Sequence, residues 1–475
     1  MAGLSPMNLI MSEAKLGFQW RSQSTFVVVA AGATLSLNDF LTFPTLAGQN
    51  GGGAFLILYI LFLFLLGLPL MMGELLLGRI SRTDPTHCFE SLASEYKASV
   101  YWKSVGFVSV IAALLIVSTF SVIAGWSLAY FFKSAFGVYN QISAENAVIA
   151  FDSFMMDSER MALWHTLFVI MLVSIVSQPA RISLQKLSMI LVPSMVVLLL
   201  ISLLLAGYSS GFTRSIQYLL YADFAAIDSE TPLLALQRAF YTLTLGIGVM
   251  MAFGRYMPSR VSLGYSAGLV ITVDLLFTIF IGIAINALTF SSGIQTGLDN
   301  QFAFKILPVV FGQFELGQIF GAMFFLLLVI AALTTSVALM ESPVGYLVRQ
   351  FNFSRLKSTV VIVTLVWLLG LGTVFSYSIW QDDGFTIALF FGDDAVRLVN
   401  NAGFHDVLVF LSSFLIQPLV ALFLCLFVAW VIPREISFKE LALPSRHWFE
   451  IWNYLIRYIT PVLLLVVFLT SIGVF

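Results

Sequence analysis

Apolar segments long enough to cross a lipid bilayer recur along this chain, and they constrain its fold more than any other feature. A bilayer core of ~30 Å needs about 20 apolar residues in a helix. The chain is 59% hydrophobic and only 10% charged, whereas a soluble domain carries about 25% charged residues. We therefore predict an all-α polytopic membrane protein of about eleven spans. The spans lie near residues 25–47, 53–78, 104–134, 162–178, 185–208, 233–257, 262–290, 317–348, 358–378, 404–432 and 450–474.

Several classes of function have no support in the sequence. The net charge is -2 and no basic run is present, so a nucleic-acid partner is not expected. The four histidines have no metal-ligand spacing, and no phosphate-binding loop is found, so we expect neither an enzyme nor an organic cofactor. Cys88 and Cys425 fall in a polar connection and a span, which makes a disulfide between them unexpected. No cleavable signal pattern precedes the first span, which is therefore expected to be retained.

The distribution of Lys and Arg favours one orientation in the membrane. Most of the 23 basic residues fall in cytoplasmic segments if the N-terminus lies inside. The outer segments then contain only Lys133, Arg160, Arg214, Lys305 and Arg397. Because cytoplasmic loops are enriched in Lys and Arg, we predict a cytoplasmic N-terminus and, with an odd number of spans, an external C-terminus.

Two spans contain small and polar residues where an unbroken membrane helix would contain Leu or Val. The first has "GATLSLNDF" and the sixth has "YTLTLGIGVM". They lie five spans apart, as corresponding segments of two five-span repeats would. Unwound backbone at that depth persists where it lines a cavity or binds a ligand, so these segments predict a midplane binding site. The alternative is a pair of intact helices that pack through small residues.

These and other segments resemble motifs of the neurotransmitter:sodium symporter family in its bacterial, eleven-span form. "FPTLAGQNGGGAF" resembles the signature between the first two spans, and "YTLTLGIGVM" is similar to the sixth-span motif. "AALTTSVALME" resembles the eighth-span sodium motif and "GWSLAY" a third-span motif. "LPVVFGQF" resembles the outer loop before the eighth span, and "RYITPVLLLVVFLTSIG" the last span. The matches cover nearly the whole chain in order.

The resemblance implies the leucine-transporter-like fold, with two inverted five-span repeats, broken first and sixth helices and one additional C-terminal span. We expect the repeats at 25–208 and 233–432 and the additional span at 450–474, within one transmembrane domain of residues 1–475. The resemblance also implies a bacterial cytoplasmic membrane, and a site for Na⁺ and a small-molecule substrate between the first, third, sixth and eighth spans.

The family's second sodium site is built from carbonyl and hydroxyl oxygens of the first and eighth spans. The residues at the matching positions are Gly32, Leu35, Ala331, Thr334 and Thr335. Neutral oxygens can replace the hydration shell of Na⁺, so the resemblance implies a sodium site here. The alternative is that the two threonines bond back to their own helix, as Ser and Thr often do in membrane helices.

The first sodium site departs from the family pattern. The matching residues are Thr34, Asp39, Thr242 and Asp274, and they include two acids. An ionisable residue inside a span predicts function by default. One alternative is that Asp39 is a structural acid paired with Arg238. Another is that the two acids share a proton, because like charges in close contact cannot both ionise easily.

The predicted substrate pocket also differs from that of amino-acid carriers. Phe120 replaces a third-span tyrosine that would hold a carboxylate, and Ser36 and Asn38 replace two glycines of the first-span break. The predicted pocket residues are Ala33, Ser36, Asn38, Ile116, Phe120, Tyr241, Thr244, Ile247, Thr335 and Leu339. Each would be ordinary core packing in most proteins, and only the resemblance makes them a mostly apolar pocket.

The gates are partly recognisable. Thr42 and Val409 stand where the family pairs an Arg with an Asp across the outer vestibule. Arg238 could take over the cationic role, or it could extend to the outer interface. Its candidate partners are the substrate's carboxylate, Asp39, Asp274 and Asp406. The inner gate keeps Trp20 and Tyr256, and Glu74 and Glu341 are candidates for its polar network.

The leading function is sodium-coupled import of a small organic solute: an amino acid, an amino-acid derivative or an amine. Because Asp39 and Asp274 can supply the negative charge that a substrate's carboxylate would otherwise give to Na⁺, a substrate without an α-carboxylate is the sharper expectation. Asp274 also supplies a fixed charge beside Thr278 and Tyr59, at the family's chloride position, so we expect no chloride requirement. The alternatives are a proton-coupled carrier that uses Asp39 or Asp274, and a non-transporting sensor or vestigial carrier.

Overall fold

A computed structural model describes residues 18–293, 302–314, 316–381, 384–391 and 394–473, apart from the side chains of Asn38, Phe302 and residues 388–398. Nine helices within these residues are long and apolar enough to cross a membrane. These helices confirm the all-α polytopic fold. The predicted first and sixth spans consist of shorter helices. The helices are α1 Gln23–Thr34, α2 Leu37–Leu41, α3 Phe43–Gln49, α4 Gly53–Ser81, α5 Pro85–Glu95, α6 Trp102–Ala135, α7 Ala144–Met156, α8 Ser158–Val176, α9 Arg181–Tyr208, α10 Phe212–Leu220, α11 Thr231–Tyr241, α12 Val249–Gly254, α13 Leu263–Ser291, α14 Phe302–Gly312, α15 Gly317–Gln350, α16 Arg355–Ser376, α17 Phe404–Trp430, α18 Arg434–Leu441 and α19 Arg446–Ser471.

The breaks in the two short-helix spans fall where the sequence places polar and small residues. α1 ends at Thr34, and Leu35 leaves the helical region with ψ 88 before α2 begins at Leu37. The sixth span is interrupted between α11 and α12, where Gly246 and Gly248 have φ values of 79 and 75. Glycine reaches positive φ without the steric cost that a side chain would add. The prediction of broken helices at these two positions is confirmed.

The glycine cluster after α3 allows an outer loop to lie directly on the backbone. The Gly53 amide donates to the Tyr221 carbonyl over 2.9 Å, and Gly52 pairs with Ala222 in an isolated bridge. A Cβ atom on Gly51 would lie 2.5 Å from the Asp223 carbonyl oxygen, closer than real contacts allow. "NGGGAF" therefore fixes the loop after α10 against the start of α4.

One connection is more regular than the sequence indicates. The segment between α16 and α17 forms an antiparallel hairpin of β1 Phe385–Phe391 and β2 Asp394–Ala402. Its register pairs Phe385 with Ala402 and Phe391 with Asp394. The all-α prediction places only a connection between the spans at 358–378 and 404–432, so it does not include these strands.

The first span lies at the centre of the bundle. α1 packs against α9, α13 and α15, and α15 packs along the length of α6. Ala30, Ala33 and Ala331 on these contact faces are at most 1% exposed. Small residues let helix backbones approach closely in lipid, where van der Waals packing drives association. This packing places the break after α1 beside the middle of α15.

Candidate functional site

The break after α1 faces two threonines of α15. The Thr335 hydroxyl donates to the Leu35 carbonyl over 3.2 Å, and a Cβ atom on Gly32 would lie 3.5 Å from Thr334 Cβ. The Thr334 hydroxyl donates to the Ala331 carbonyl of its own helix over 3.0 Å, as the alternative predicts for this threonine. All five residues predicted for the second sodium site are thus brought together. The carbonyl end of α1 carries a partial negative charge, and such half-helix ends suit Na⁺.

Asp39 is the centre of a buried hydrogen-bond network and is 1% exposed. Its Oδ2 accepts from the Ser36 amide over 2.8 Å and from the Ser36 hydroxyl over 2.9 Å. Its Oδ1 accepts from the Thr242 hydroxyl over 2.8 Å and forms an ion pair with Arg238. A carboxylate offers about four lone-pair positions, so the protein itself satisfies Asp39. This arrangement agrees with the alternative that Asp39 is a structural acid paired with Arg238.

Asp274 on α13 is the less satisfied of the two acids. Its Oδ2 lies 3.4 Å from the Thr242 hydroxyl, whereas its Oδ1 has no hydrogen-bond partner among the described residues. Asp274 is fully buried, and a buried charge without a partner is costly. The carboxylates of Asp39 and Asp274 and the guanidinium of Arg238 leave one net negative charge. The centre therefore suits one monovalent cation or one proton.

The hydroxyls of Tyr59 and Thr278, at the family's chloride position, are also buried without a partner among the described residues. Thr278 lies one helical turn after Asp274 on α13. A buried hydroxyl in a polar centre can accept or donate to a bound ion or to water. The absence of a chloride requirement stays a prediction.

Most residues of the predicted substrate pocket lie around the two breaks. Ala33, Ile247, Thr335 and Leu339 are at most 2% exposed, and Thr244 is 8% exposed. Thr244 adopts φ 50 in the sixth-span break, and its hydroxyl has no partner among the described residues. Ile116 and Phe120 on α6 are partly buried beside the apolar clusters on either side.

Three predicted pocket residues need correction or lie outside the description. The Ser36 hydroxyl donates to Asp39 and is not a free donor for a substrate. The Tyr241 hydroxyl lies 2.9 Å from the Ser471 hydroxyl, and its ring packs against Phe414 at a centroid distance of 6.1 Å. Tyr241 therefore faces α17 and the last span rather than the pocket. The side chain of Asn38 is outside the described residues.

Two side chains that the sequence did not assign to the site hold the break in the sixth span. Glu74 Oε1 accepts from the Gly246 amide over 2.6 Å, and Gln417 Nε2 donates to the Leu245 carbonyl over 2.8 Å. Unwound backbone in a membrane needs such partners. Our placement of Glu74 in the inner gate is therefore wrong. An ionisable residue in a span indicates a functional role, but the sequence does not indicate which backbone group that residue contacts.

The residues predicted for the inner gate form a network of contacts that the sequence predicts in part. Trp20 is 2% exposed, and its Nε1 donates to the Phe253 carbonyl over 3.0 Å. Its ring packs edge-on against Tyr256 at 5.8 Å. Glu341 accepts from the Tyr256 hydroxyl over 3.0 Å and from Arg355 over 2.8 Å. Glu341 also pairs with Arg255. This network joins α15, α16 and the end of the sixth span.

Arg238 makes a buried ion pair that joins the sixth span to the first. Arg238 is 8% exposed and lies over the Phe43 ring at 5.4 Å while it pairs with Asp39. This geometry overturns the alternative that Arg238 extends to the outer interface. The Asp406 carboxylate accepts from the Gly403 amide over 3.2 Å at the start of α17, and no contact with Arg238 is among the described ion pairs.

A tyrosine-to-phenylalanine change tests the inner network. Tyr256→Phe removes the hydroxyl that donates to Glu341, and we expect the free energy of unfolding to fall by about 1–2 kcal/mol. Reversible unfolding in mixed micelles measures the change. Tyr454→Phe is the control because Tyr454 is 57% exposed. An equal loss in both variants would contradict a role for the Tyr256 hydroxyl.

A sequence model of the sodium:neurotransmitter symporter family matches residues 18–148. The uncharacterized sodium-dependent transporter YhdH of Bacillus subtilis (strain 168) is 31% identical over 471 residues, which cover 98% of this chain and 99% of the relative. This chain belongs to the sodium:neurotransmitter symporter family. As a member, it is an integral membrane protein and a sodium-dependent transporter.

Solved and named members of the family give further points of comparison. The crystal structure of MhsT in complex with L-phenylalanine matches with a TM-score of 0.81 and 30% identity, and covers 96% of this chain and 99% of MhsT. The human sodium- and chloride-dependent taurine transporter is 34% identical over 116 residues, 24% of this chain and 18% of that transporter. The first match confirms the leucine-transporter-like fold.

Proposed function

We propose that this family member is a sodium-coupled symporter that imports a small organic solute. The observation that carries the proposal is the buried carbonyl end of α1 at the break, where the Leu35 carbonyl lies against the Thr335 hydroxyl. Gly32, Leu35, Ala331, Thr334 and Thr335 would bind one Na⁺ between the first and eighth spans. Such a site couples the ion to transport because alternating access moves one group of helices against the other around a fixed site.

The substrate is an amino acid, an amino-acid derivative or an amine, and a solute without an α-carboxylate is favoured. Phe120 cannot donate a hydrogen bond, and the Ser36 hydroxyl is occupied by Asp39. Position 120 therefore has no hydroxyl for a carboxylate, and the Ser36 hydroxyl already donates to Asp39. MhsT is described with L-phenylalanine, and the human relative is named for taurine, so small zwitterions are the first solutes to test.

The cation at the first ion site is Na⁺ or a proton, and the unpartnered Oδ1 of Asp274 supports both. Na⁺ is favoured because Thr34, Thr242 and Asp274 offer several oxygens around one point, whereas a proton needs one. Asp39 acts there mainly through its ion pair with Arg238. The membrane is the bacterial cytoplasmic membrane, with the N-terminus inside, as the distribution of Lys and Arg supports.

Uptake into proteoliposomes tests the proposal. The full chain is reconstituted, and labelled amino acids, taurine and small amines are offered with an imposed Na⁺ gradient, an imposed proton gradient or neither. Accumulation driven by Na⁺ is expected. Accumulation driven only by the proton gradient would show that the coupling ion is a proton and not Na⁺. Ligand binding without accumulation in any condition would indicate a sensor.

A threonine-to-valine change tests the second sodium site. Thr335→Val keeps the side-chain shape but removes the hydroxyl, so we expect the Na⁺ concentration for half-maximal uptake to rise about tenfold. Thr359→Val is the matched control, since Thr359 is equally buried on α16. An unchanged Na⁺ dependence in Thr335→Val would contradict a sodium site at this position.

A further inference from the structure

The last span contacts the outer half of the sixth span through two side-chain pairs. Gln237 Nε2 donates to Thr470 Oγ1 over 2.9 Å, and the hydroxyls of Tyr241 and Ser471 are 2.9 Å apart. Gln237 and Tyr241 are four residues apart and share one face of α11. Hydrogen bonds between side chains help to hold helices together in lipid, where no hydrophobic force acts between them.

The adjacent face of α11 makes the contacts with the first ion site. Arg238 directly follows Gln237, and Thr242 directly follows Tyr241. Each therefore lies roughly 100° around the helix axis from the residue before it. Both bond to Asp39 Oδ1. The rotation of α11 about its axis therefore decides both sets of contacts at once. A rotation that separates α11 from the last span would move Arg238 and Thr242 away from Asp39.

The last span is itself fixed to the second span. The Thr460 hydroxyl donates to the Leu65 carbonyl over 3.1 Å, and Trp452 Nε1 donates to the Pro69 carbonyl over 3.2 Å. These bonds anchor the first half of α19 on α4. The final turn of α19, with Thr470 and Ser471, is then held in a fixed position beside α11.

We propose that Gln237, Tyr241, Thr470 and Ser471 are positioning residues for the first ion site. They fix the rotation of α11 and so hold Arg238 and Thr242 on Asp39. This inference rests on the proposed sodium coupling, and it gives the span outside the two repeats a function. None of the four residues has a described bond to Asp39 or Asp274, so they act through Arg238 and Thr242.

Sodium titrations of purified full-length variants test the proposal. The half-saturating Na⁺ concentration is read from the shift in melting temperature for Tyr241→Phe, Ser471→Ala and the double variant. We expect a rise of about fivefold in each single variant and no further rise in the double variant, because the same bond is already lost. Tyr458→Phe on α19 is the control, since Tyr458 is 53% exposed. A lower melting temperature with unchanged half-saturating Na⁺ would overturn the proposal.

A measurement without Na⁺ separates this inference from the proposed coupling. Tyr241→Phe is compared in the wild-type and Asp39→Asn backgrounds in Na⁺-free buffer. If Tyr241 acts through Arg238 and Asp39, its effect on melting temperature is smaller in the Asp39→Asn background. Equal effects in both backgrounds would overturn the positioning role. If Na⁺ does not change the melting temperature of the wild type, sodium coupling is overturned. The comparison of Tyr241→Phe in the two backgrounds would still test the positioning role, because it is made without Na⁺.

Discussion

Replacing Arg238 with glutamine is expected to lower the free energy of unfolding by about 3–5 kcal/mol, because it leaves the Asp39 carboxylate buried without its counter-charge. Asp39 is 1% exposed and Arg238 is 8% exposed, so water cannot screen the loss. Reversible unfolding in mixed micelles measures the change. Arg457→Gln is the control: its guanidinium lies over the Trp430 ring at 5.3 Å, a contact worth about 1 kcal/mol.

A second substitution decides whether the pairing is the cause. Asp39→Asn combined with Arg238→Gln removes both charges and leaves two amides of similar shape. Because replacing both partners of a buried ion pair costs far less than removing one, we expect the double variant to regain most of the stability. A double variant no more stable than Arg238→Gln would contradict the pairing, and so would an Arg238→Gln variant as stable as the wild type.

The Arg238–Asp39 ion pair would also hold the outer side in place of the gate pair that the resemblance implies. Thr42 and Val409 replace the Arg and Asp that would pair across the vestibule. Arg238 and Asp39 connect the first and sixth spans instead, and they do so next to the break rather than above it. The contact that joins these spans is therefore part of the proposed first ion site, so ion binding there would depend on the same two side chains.

The sequence predicts the two breaks and most span boundaries well, for a physical reason. A membrane helix needs apolar residues, so "GATLSLNDF" and "YTLTLGIGVM" deviate visibly from that requirement. Gly32, Leu35 and Thr335 come from the family resemblance, and the structure places them together beside the first break. The breaks and span boundaries depend on local chemistry that a single chain segment displays.

The orientation of single side chains could not be predicted in the same way. Tyr241 and Thr242 are neighbours, yet one faces α19 and the other faces Asp39. A rotation of α11 by roughly 100° would exchange these faces, and in our proposal that rotation is set by Thr470 and Ser471, more than 200 residues later. Glu74 was misplaced for a similar reason, because its partner is the Gly246 amide in a distant break. Both errors concern contacts between spans, which no local pattern encodes.

Replacing Asp274 with asparagine is expected to raise the Na⁺ concentration for half-maximal uptake by about 100-fold or more, because a buried charge pair is typically worth several kcal/mol. Asparagine keeps the shape and one oxygen, so the change isolates the charge. Asp274 is fully buried, and its Oδ1 has no partner among the described residues. Uptake into proteoliposomes at varied Na⁺, with and without an imposed proton gradient, measures the effect.

The control for Asp274→Asn is Asp84→Asn, which removes a charge from another buried aspartate. Asp84 is 1% exposed and caps α5 by accepting from the His87 amide, a role that asparagine also fills. Asp84→Asn should therefore keep the wild-type Na⁺ dependence. Asp274→Asn with an unchanged Na⁺ dependence but a lost response to the proton gradient would assign the site to a proton. If neither dependence changes, Asp274 is a structural acid and the second site alone couples transport to Na⁺.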